Sequence, residues 1–365
     1  MIGRVSNRRW RVLGTGAALP GQPVPTDELL AAFDGRFGTR LRATGHRLAA
    51  RLGVQTRHLC RDVLVVGEGP RPGDSNPELA ARAITDALAQ ASLCVEQLGY
   101  AIGHTTTPHT LLPSNIAWVA DHLSFSGPFV ELRQACTGFA QALQLSAGLL
   151  LEENDRPIAI VGSETGSVFL DPMRASRGIE QLLNLIQMGD GAGAIVLARD
   201  RPGPAARISH AFVGALGPGM TPGFWLEAGG SSQPYVEGIA HFRHDAARVR
   251  KRGADLFNVC IDDLCSHGFD LKGIDWFLPH QANATELPEA IAKRLEVPIE
   301  RVLVTADRVG NLGSASIWVG LDLARRSGRL KQGDRVLVLG AEATKYLYGG
   351  FIYEHDGTHV SSHLL

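Results

Sequence analysis

The sequence predicts an α/β fold built from two repeated halves, and three observations carry that expectation. Short apolar runs alternate with longer helical patterns along most of the chain. Ile158–Val161 followed by Gly162-Ser163-Glu164 is echoed by Val336–Leu339 followed by Gly340-Ala341-Glu342. Cys136 lies upstream of the first echo as Asn311 lies upstream of the second, each between a strand and an apolar helix. A Pro/Gly break at Arg201–Pro204 divides the chain into halves at 1–200 and 205–365. Such a duplication would bring Cys136, His280 and Asn311 to one pseudo-symmetric centre.

The elements follow in order. Val12–Leu13 is expected to be a strand ending in a tight turn at Gly14-Thr15-Gly16, and Glu78–Ala91 carries alanine and leucine at helical spacing. Phe129–Leu132 reads as a strand, Ala140–Leu151 as an apolar helix, and Ile158–Val161 as a buried strand ending at Gly162. In the second half, Trp276–Leu278 is a strand closing on Pro279-His280, and Arg301–Val304 is another. A Gly/Asn/Ser loop at Gly310–Ser316, a helix over Ile317–Arg326 and a strand over Arg335–Leu339 complete it.

Composition narrows the class. With 365 residues, 44% hydrophobic and 20% charged, the chain reads as a soluble globular protein. A net charge of -1 gives no global pull on nucleic acid or membrane. Arg4, Arg8, Arg9 and Arg11 are not followed by an apolar stretch, so no secretory signal is expected. No apolar run approaches the roughly 18 residues of a spanning helix. Five scattered cysteines without a Cys-x-x-Cys pair indicate neither a zinc site nor a disulfide framework, so a reducing cytoplasm is the expected setting.

Three residues carry chemistry. Cys136 sits at a strand-to-helix junction, where the helix dipole and unpaired N–H groups favour a thiolate and can bind an oxyanion. Read alone, such a cysteine is more often a small buried hydrophobe. His280, in Pro279-His280-Gln281-Ala282-Asn283, follows a strand and is either a base or hydrogen-bond donor, or a satisfied core histidine. Asn311, flanked by Gly310 and Gly313, projects an amide into a crowded site or caps a turn. His241, His244 and His267 lack partner motifs and are expected at the surface.

Taken together, these motifs change the reading. Ala135-Cys136-Thr137-Gly138-Phe139, Met188-Gly189-Asp190-Gly191-Ala192-Gly193-Ala194, Pro279–Asn283 and Gly310-Asn311-Leu312-Gly313-Ser314-Ala315-Ser316 occur in that order. The chain therefore resembles β-ketoacyl-acyl-carrier-protein synthase III, among the thiolase-like condensing enzymes. The resemblance implies a five-layered α-β-α-β-α fold, in which the Gly189–Gly193 segment is structural. It also implies acylation of Cys136 by a thioester, then decarboxylative condensation with malonyl-carrier protein, His280 and Asn311 binding the enolate oxygen. No resident cofactor or metal is implied, since substrates travel on coenzyme A or on the phosphopantetheine of acyl carrier protein. Homodimerisation is implied as well, with Leu112 lining the partner's pocket.

Departures from the family pattern are also legible. The glycine-rich stretch that completes the oxyanion hole is replaced by Ala343-Thr344-Lys345-Tyr346-Leu347-Tyr348-Gly349. Thr344 and Lys345 thereby stand beside the site, Lys345 as an ion-pair partner or as a contact for an acidic substrate group. A tryptophan that stacks on adenine is missing, with Arg47 near its place, while Arg51 and Arg177 match the adenine-side arginines. Leu29–Arg51 and Arg174–Gln187 carry extra residues, the latter in the region that caps the acyl pocket. A carrier protein is therefore as good a donor as coenzyme A, and specialised lipid or polyketide synthesis suits these changes. Acyl transfer to oxygen or nitrogen, and a non-catalytic partner subunit, are the alternatives. A head-to-head condenser is disfavoured because Leu112 stands where those enzymes carry glutamate.

Overall fold

Ile158 and Ile160 point to one side of their strand and Ala159 and Val161 to the other, and all four are buried. A strand buried on both faces must be covered by two layers. The computed structural model describes residues 2–150, 155–358 and 360. The chain opens with β1 (Ile2–Ala18), after which the short pair β2 (Val24–Pro25) and β3 (Thr56–Arg57) brackets α1 (Thr26–Phe37) and α2 (Arg42–Leu52). Next come α3 (Asn76–Gln90), β4 (Tyr100–His104), α4 (Asn115–Leu123), β5 (Phe129–Leu132), α5 (Gly138–Leu149) and β6 (Ile158–Glu164). Leu151, expected at the end of α5, lies outside the described residues. Helices α6 (Pro172–Ala175) and α7 (Ile179–Gln187) lead into β7 (Gly191–Arg199).

Beyond β7 follow β8 (Arg207–Ala215), the hairpin strands β9 (Phe224–Leu226) and β10 (Phe242–His244), α8 (Ala246–Ser266) and β11 (Trp276–Pro279). The chain closes with α9 (Glu286–Leu295), α10 (Ala306–Val309), α11 (Ser316–Arg326), β12 (Arg335–Glu342) and β13 (Leu347–Glu354).

Nine strands form one sheet in the order β11-β12-β13-β8-β1-β7-β6-β4-β5. Apart from the edge strand β5, the order is symmetric about the β8–β1 pair. On one side β4 runs parallel to β6, with β7 and β1 following antiparallel; on the other β11 runs parallel to β12, with β13 and β8 following antiparallel. Helices α3 and α4 cover the Ala159/Val161 face of the first half. Helices α8 and α9 cover the Leu337/Leu339 face of the second. Between the halves lie α5 and α11, with Phe139 and Trp318 at 6.0 Å, edge to face, against Ile158, Ile160, Val336 and Val338. The layers therefore run α-β-α-β-α. A separate cluster, from α1, α2 and α7, caps one end.

Two sequence expectations are corrected. Gly14 and Gly16 lie inside β1 rather than in a turn, where a Cβ would come within 2.1 Å of Ala87 O and 2.3 Å of Ala83 O. These glycines let the backbone of α3 lie directly on the strand. Arg301–Val304 is not a strand: a 3₁₀ turn over Ile299–Arg301 leads to a single bridge between Val302 and Phe277. Gln281 Oε1 accepts from the amides of Thr305 and Ala306 at 2.8 and 2.9 Å, which turns the chain into α10 before a ladder can extend.

Candidate active site

The loop after β5 carries Cys136 to the start of α5, one residue before the N-cap Thr137. His280 directly follows β11, and its amide donates to Leu339 O at 2.7 Å, so strand pairing fixes its backbone. Asn311 is pinned on both sides: its amide donates to Gln187 O at 2.7 Å and its carbonyl accepts from Gly189 at 3.0 Å. Its neighbour Gly310 has φ 71° and faces Gln187 O, a position that leaves no room for a side chain. Asn311 Oδ1 accepts from the Gly313 amide at 3.0 Å, which leaves the amide nitrogen of the side chain as the donor available to a ligand.

All three residues line one cavity of about 990 Å³. Its apolar walls come from α7, α8, α9 and the β9–β10 hairpin, and exposed Arg51, Arg250, Glu286, Arg294 and Lys345 mark its opening. Burial pushes the His280 pKa down to about 4 against the opposing effect of Asn311, so the ring is neutral near pH 7. His280 Nε2 is buried without a partner. Leaving such an atom unpaired costs about 1–3 kcal/mol, a cost a ligand oxygen would remove.

The cysteine differs from the sequence expectation. Burial first, then the carboxylates of Glu342 and Glu164, push its thiol pKa up, so the resting group is a thiol rather than a thiolate. Glu342 accepts from the Thr137 amide at 3.1 Å, the Thr137 hydroxyl at 2.7 Å and Gln134 Nε2 at 2.9 Å, and Thr344 Oγ1 also donates to it. Glu164 accepts from the Thr106 amide and, at 2.9 Å, from Ser314 Oγ. Burial raises the Glu164 pKa while these donors oppose the shift. Neither glutamate was singled out for chemistry in the sequence, although both close the repeated strand echo.

Of the remaining sequence-predicted residues, Arg51, Thr344 and Lys345 line the cavity. Arg51 is paired with Glu286 at 2.7 Å, and Lys345 Nζ donates to Met220 O at 2.7 Å rather than to a carboxylate. Arg177 is exposed and not part of the lining; Leu112 is 88% exposed and also outside it. His267 is exposed as expected, but His241 and His244 are buried. The reason is the β9–β10 hairpin, which packs both against α6 and α7: Arg174 meets His241 Nε2 at 2.8 Å and Asn184 meets His244 Nδ1 at 2.9 Å.

The chain is 31% identical over 332 residues to a β-ketoacyl-[acyl-carrier-protein] synthase III of Bordetella petrii, spanning 90% of this chain and 93% of the relative. It belongs to the β-ketoacyl-acyl-carrier-protein synthase III family. Residues 130–217 match the 3-oxoacyl-[acyl-carrier-protein (ACP)] synthase III family and residues 264–353 its C-terminal counterpart. Among solved structures, the tetronic acid condensing enzyme AbyA1 superposes with a TM-score of 0.81 at 27% identity, over 95% of this chain and 100% of that one. The priming β-ketosynthase of the R1128 polyketide pathway gives 0.76 at 26%, over 97% and 99%. The five layers are thus the thiolase fold, and this synthase III relative is a condensing enzyme. Among the described residues, no helix is long and apolar enough to cross a membrane.

Proposed function

We propose that the chain takes an acyl group onto Cys136 and condenses it with a malonyl unit held on acyl carrier protein, releasing CO₂. The observation that carries this reading is the meeting of Cys136, a neutral His280 with an unpartnered Nε2, and the donor face of Asn311 in one cavity. In the first step Sγ gives up its proton and bonds to the thioester carbonyl carbon; the carbon–sulfur bond of the donor breaks and its thiol leaves with a proton. In the second, the malonyl carbon–carboxylate bond breaks and its electron pair forms an enolate. A ring tautomer with its proton on Nε2, together with the Asn311 amide, donates to the enolate oxygen. The α-carbon then bonds to the acyl carbon, the cysteine–acyl bond breaks, and a β-ketoacyl thioester departs.

Phosphopantetheine-borne acyl chains suit the cavity opening, where Arg51 is paired with Glu286 at 2.7 Å. The condensing and priming activities named for the two structural neighbours support a place in specialised lipid or polyketide synthesis. Exposed Leu112 supports contact with a second copy of the chain. The test is to mix the purified chain with acyl thioesters and malonyl-carrier protein, then weigh the protein and measure CO₂. Acyl mass on Cys136, absent from Cys136→Ala, with CO₂ release is expected; acylation without CO₂ would rule out condensation.

A further inference from the structure

His244 is a polar group set in an apolar stretch of the cavity wall. It lines the cavity beside Leu183, Phe224, Trp225, Leu226 and Phe242, with the Phe224 ring edge-on at 5.3 Å. Only 7% of the residue is exposed, and burial pushes its pKa down to about 4, so the ring is neutral. Nδ1 lies 2.9 Å from Oδ1 of the fully buried Asn184. With Asn184 Oδ1 facing the ring, the proton sits on Nδ1 and Nε2 keeps its lone pair, while Asn184 Nδ2 is buried without a partner; turning the amide over would reverse the two ring roles. This is the only side-chain hydrogen bond of His244 among the described residues, and Nε2 is not among the buried polar atoms shut off from any partner. In the arrangement with Oδ1 facing the ring, Nε2 is an acceptor left for whatever occupies the cavity.

The cost of burying an imidazole in an aromatic wall is recovered when that acceptor is satisfied. We infer that His244, oriented by Asn184, forms a subsite that accepts a hydrogen bond from a hydroxyl group on the acyl chain. A ketone or carboxylate at the same place has no proton to donate and would face the Nε2 lone pair directly. This rests on the proposed acylation of Cys136 and names a feature of the acyl group: a hydroxylated chain rather than a plain one.

The experiment uses pantetheine thioesters of saturated six- to ten-carbon acids, each with matched analogues carrying one hydroxyl or one ketone at successive carbons. Acylation of Cys136 in the full chain is followed by intact mass. One hydroxyl position is expected to acylate at least about tenfold faster than both the plain and the ketone analogue. His244→Phe should bring that ratio near one, whereas His244→Gln, which retains an amide acceptor, should keep part of it. Equal rates for plain and hydroxylated chains in the wild type overturn the inference and leave the proposed function standing. A preference that survives in a folded His244→Phe overturns it too. Should His244→Phe fail to fold, the wild-type series and His244→Gln decide. If no thioester acylates Cys136, the proposed function fails and the subsite falls with it.

Discussion

Glu164 and Glu342 stand at equivalent strand ends of the two halves, and each holds the loop of the opposite half that carries Asn311 or Cys136. Glu342, at the end of β12, accepts the amide and hydroxyl of Thr137 next to Cys136. Glu164, at the end of β6, accepts the Ser314 hydroxyl in the loop that carries Asn311. Both carboxylates are buried and supplied with several donors, the condition under which a buried charge is sustained. Through this exchange the cysteine of one half is held in register with the amide of the other.

Glu342→Gln preserves shape and an acceptor for Thr137 while removing a negative charge close to the sulfur. A like-charged neighbour disfavours a thiolate, so its loss lowers the Cys136 pKa. Iodoacetamide alkylation of Cys136, read by mass across a pH series, should move to lower pH in the variant. A profile that stays put or moves up would show that the carboxylate does not act on the thiol.

Acid should weaken the fold through its buried histidines. The folded pKa of His280 is about 4, below the ordinary 6.5, so the unfolded chain binds that proton first as pH falls. The contribution is whole above about pH 6.5 and is lost on descending towards 4, with a limiting slope of about 1.4 kcal/mol per pH unit. His244, at about 4, and His104, at about 3, act in the same direction. Urea midpoints should therefore fall between pH 6.5 and 5, and His280→Asn should fall less steeply; parallel slopes would contradict this.

Cys136 and His280 were legible as a group because each follows a strand, and Asn311 because glycines flank it, although the strand expected before it is a helix, α10. The α/β class was legible from apolar runs alternating with helical patterns, whereas the five layers came with the family resemblance. Burial of His244 was not, since three-residue strands after a Gly/Ser-rich stretch carry no period for a sequence to show. The glutamates appeared only as the last letters of an echo, because what makes them matter is contact across halves. Glycine in β1 was misread since a turn and a close helix–strand approach ask for the same residue.

Gly16→Ala separates those two meanings. A Cβ there would lie 2.3 Å from Ala83 O and 2.5 Å from Ala87 N, and α3 would have to shift. Overpacking of this kind costs about 1–3 kcal/mol. Denaturant unfolding should show a loss in that range, whereas a loss under about 0.5 kcal/mol would mean that α3 yields freely.

Ser314→Ala tests how the two halves cooperate in the proposed chemistry. The hydroxyl bonds Glu164 Oε1 at 2.9 Å and Gln134 O at 3.0 Å, so its removal loosens the Asn311 loop, which then keeps only the backbone bonds of Asn311 to Gln187 and Gly189 as its described hold on the first half. Glu342 keeps its hold on Thr137 and on the Gln134 side chain, so the Cys136 loop loses only the contact at the Gln134 carbonyl. Acylation, which needs the thiol, should fall by no more than about threefold. Decarboxylation, which needs the amide aimed at the enolate oxygen, should fall by about tenfold or more, because a misplaced donor stabilises developing charge poorly. Single-turnover acylation by mass and CO₂ release from malonyl-carrier protein separate the two steps. If both fall equally, Ser314 organises the whole site rather than the Asn311 loop, and the division of labour between the glutamates is wrong.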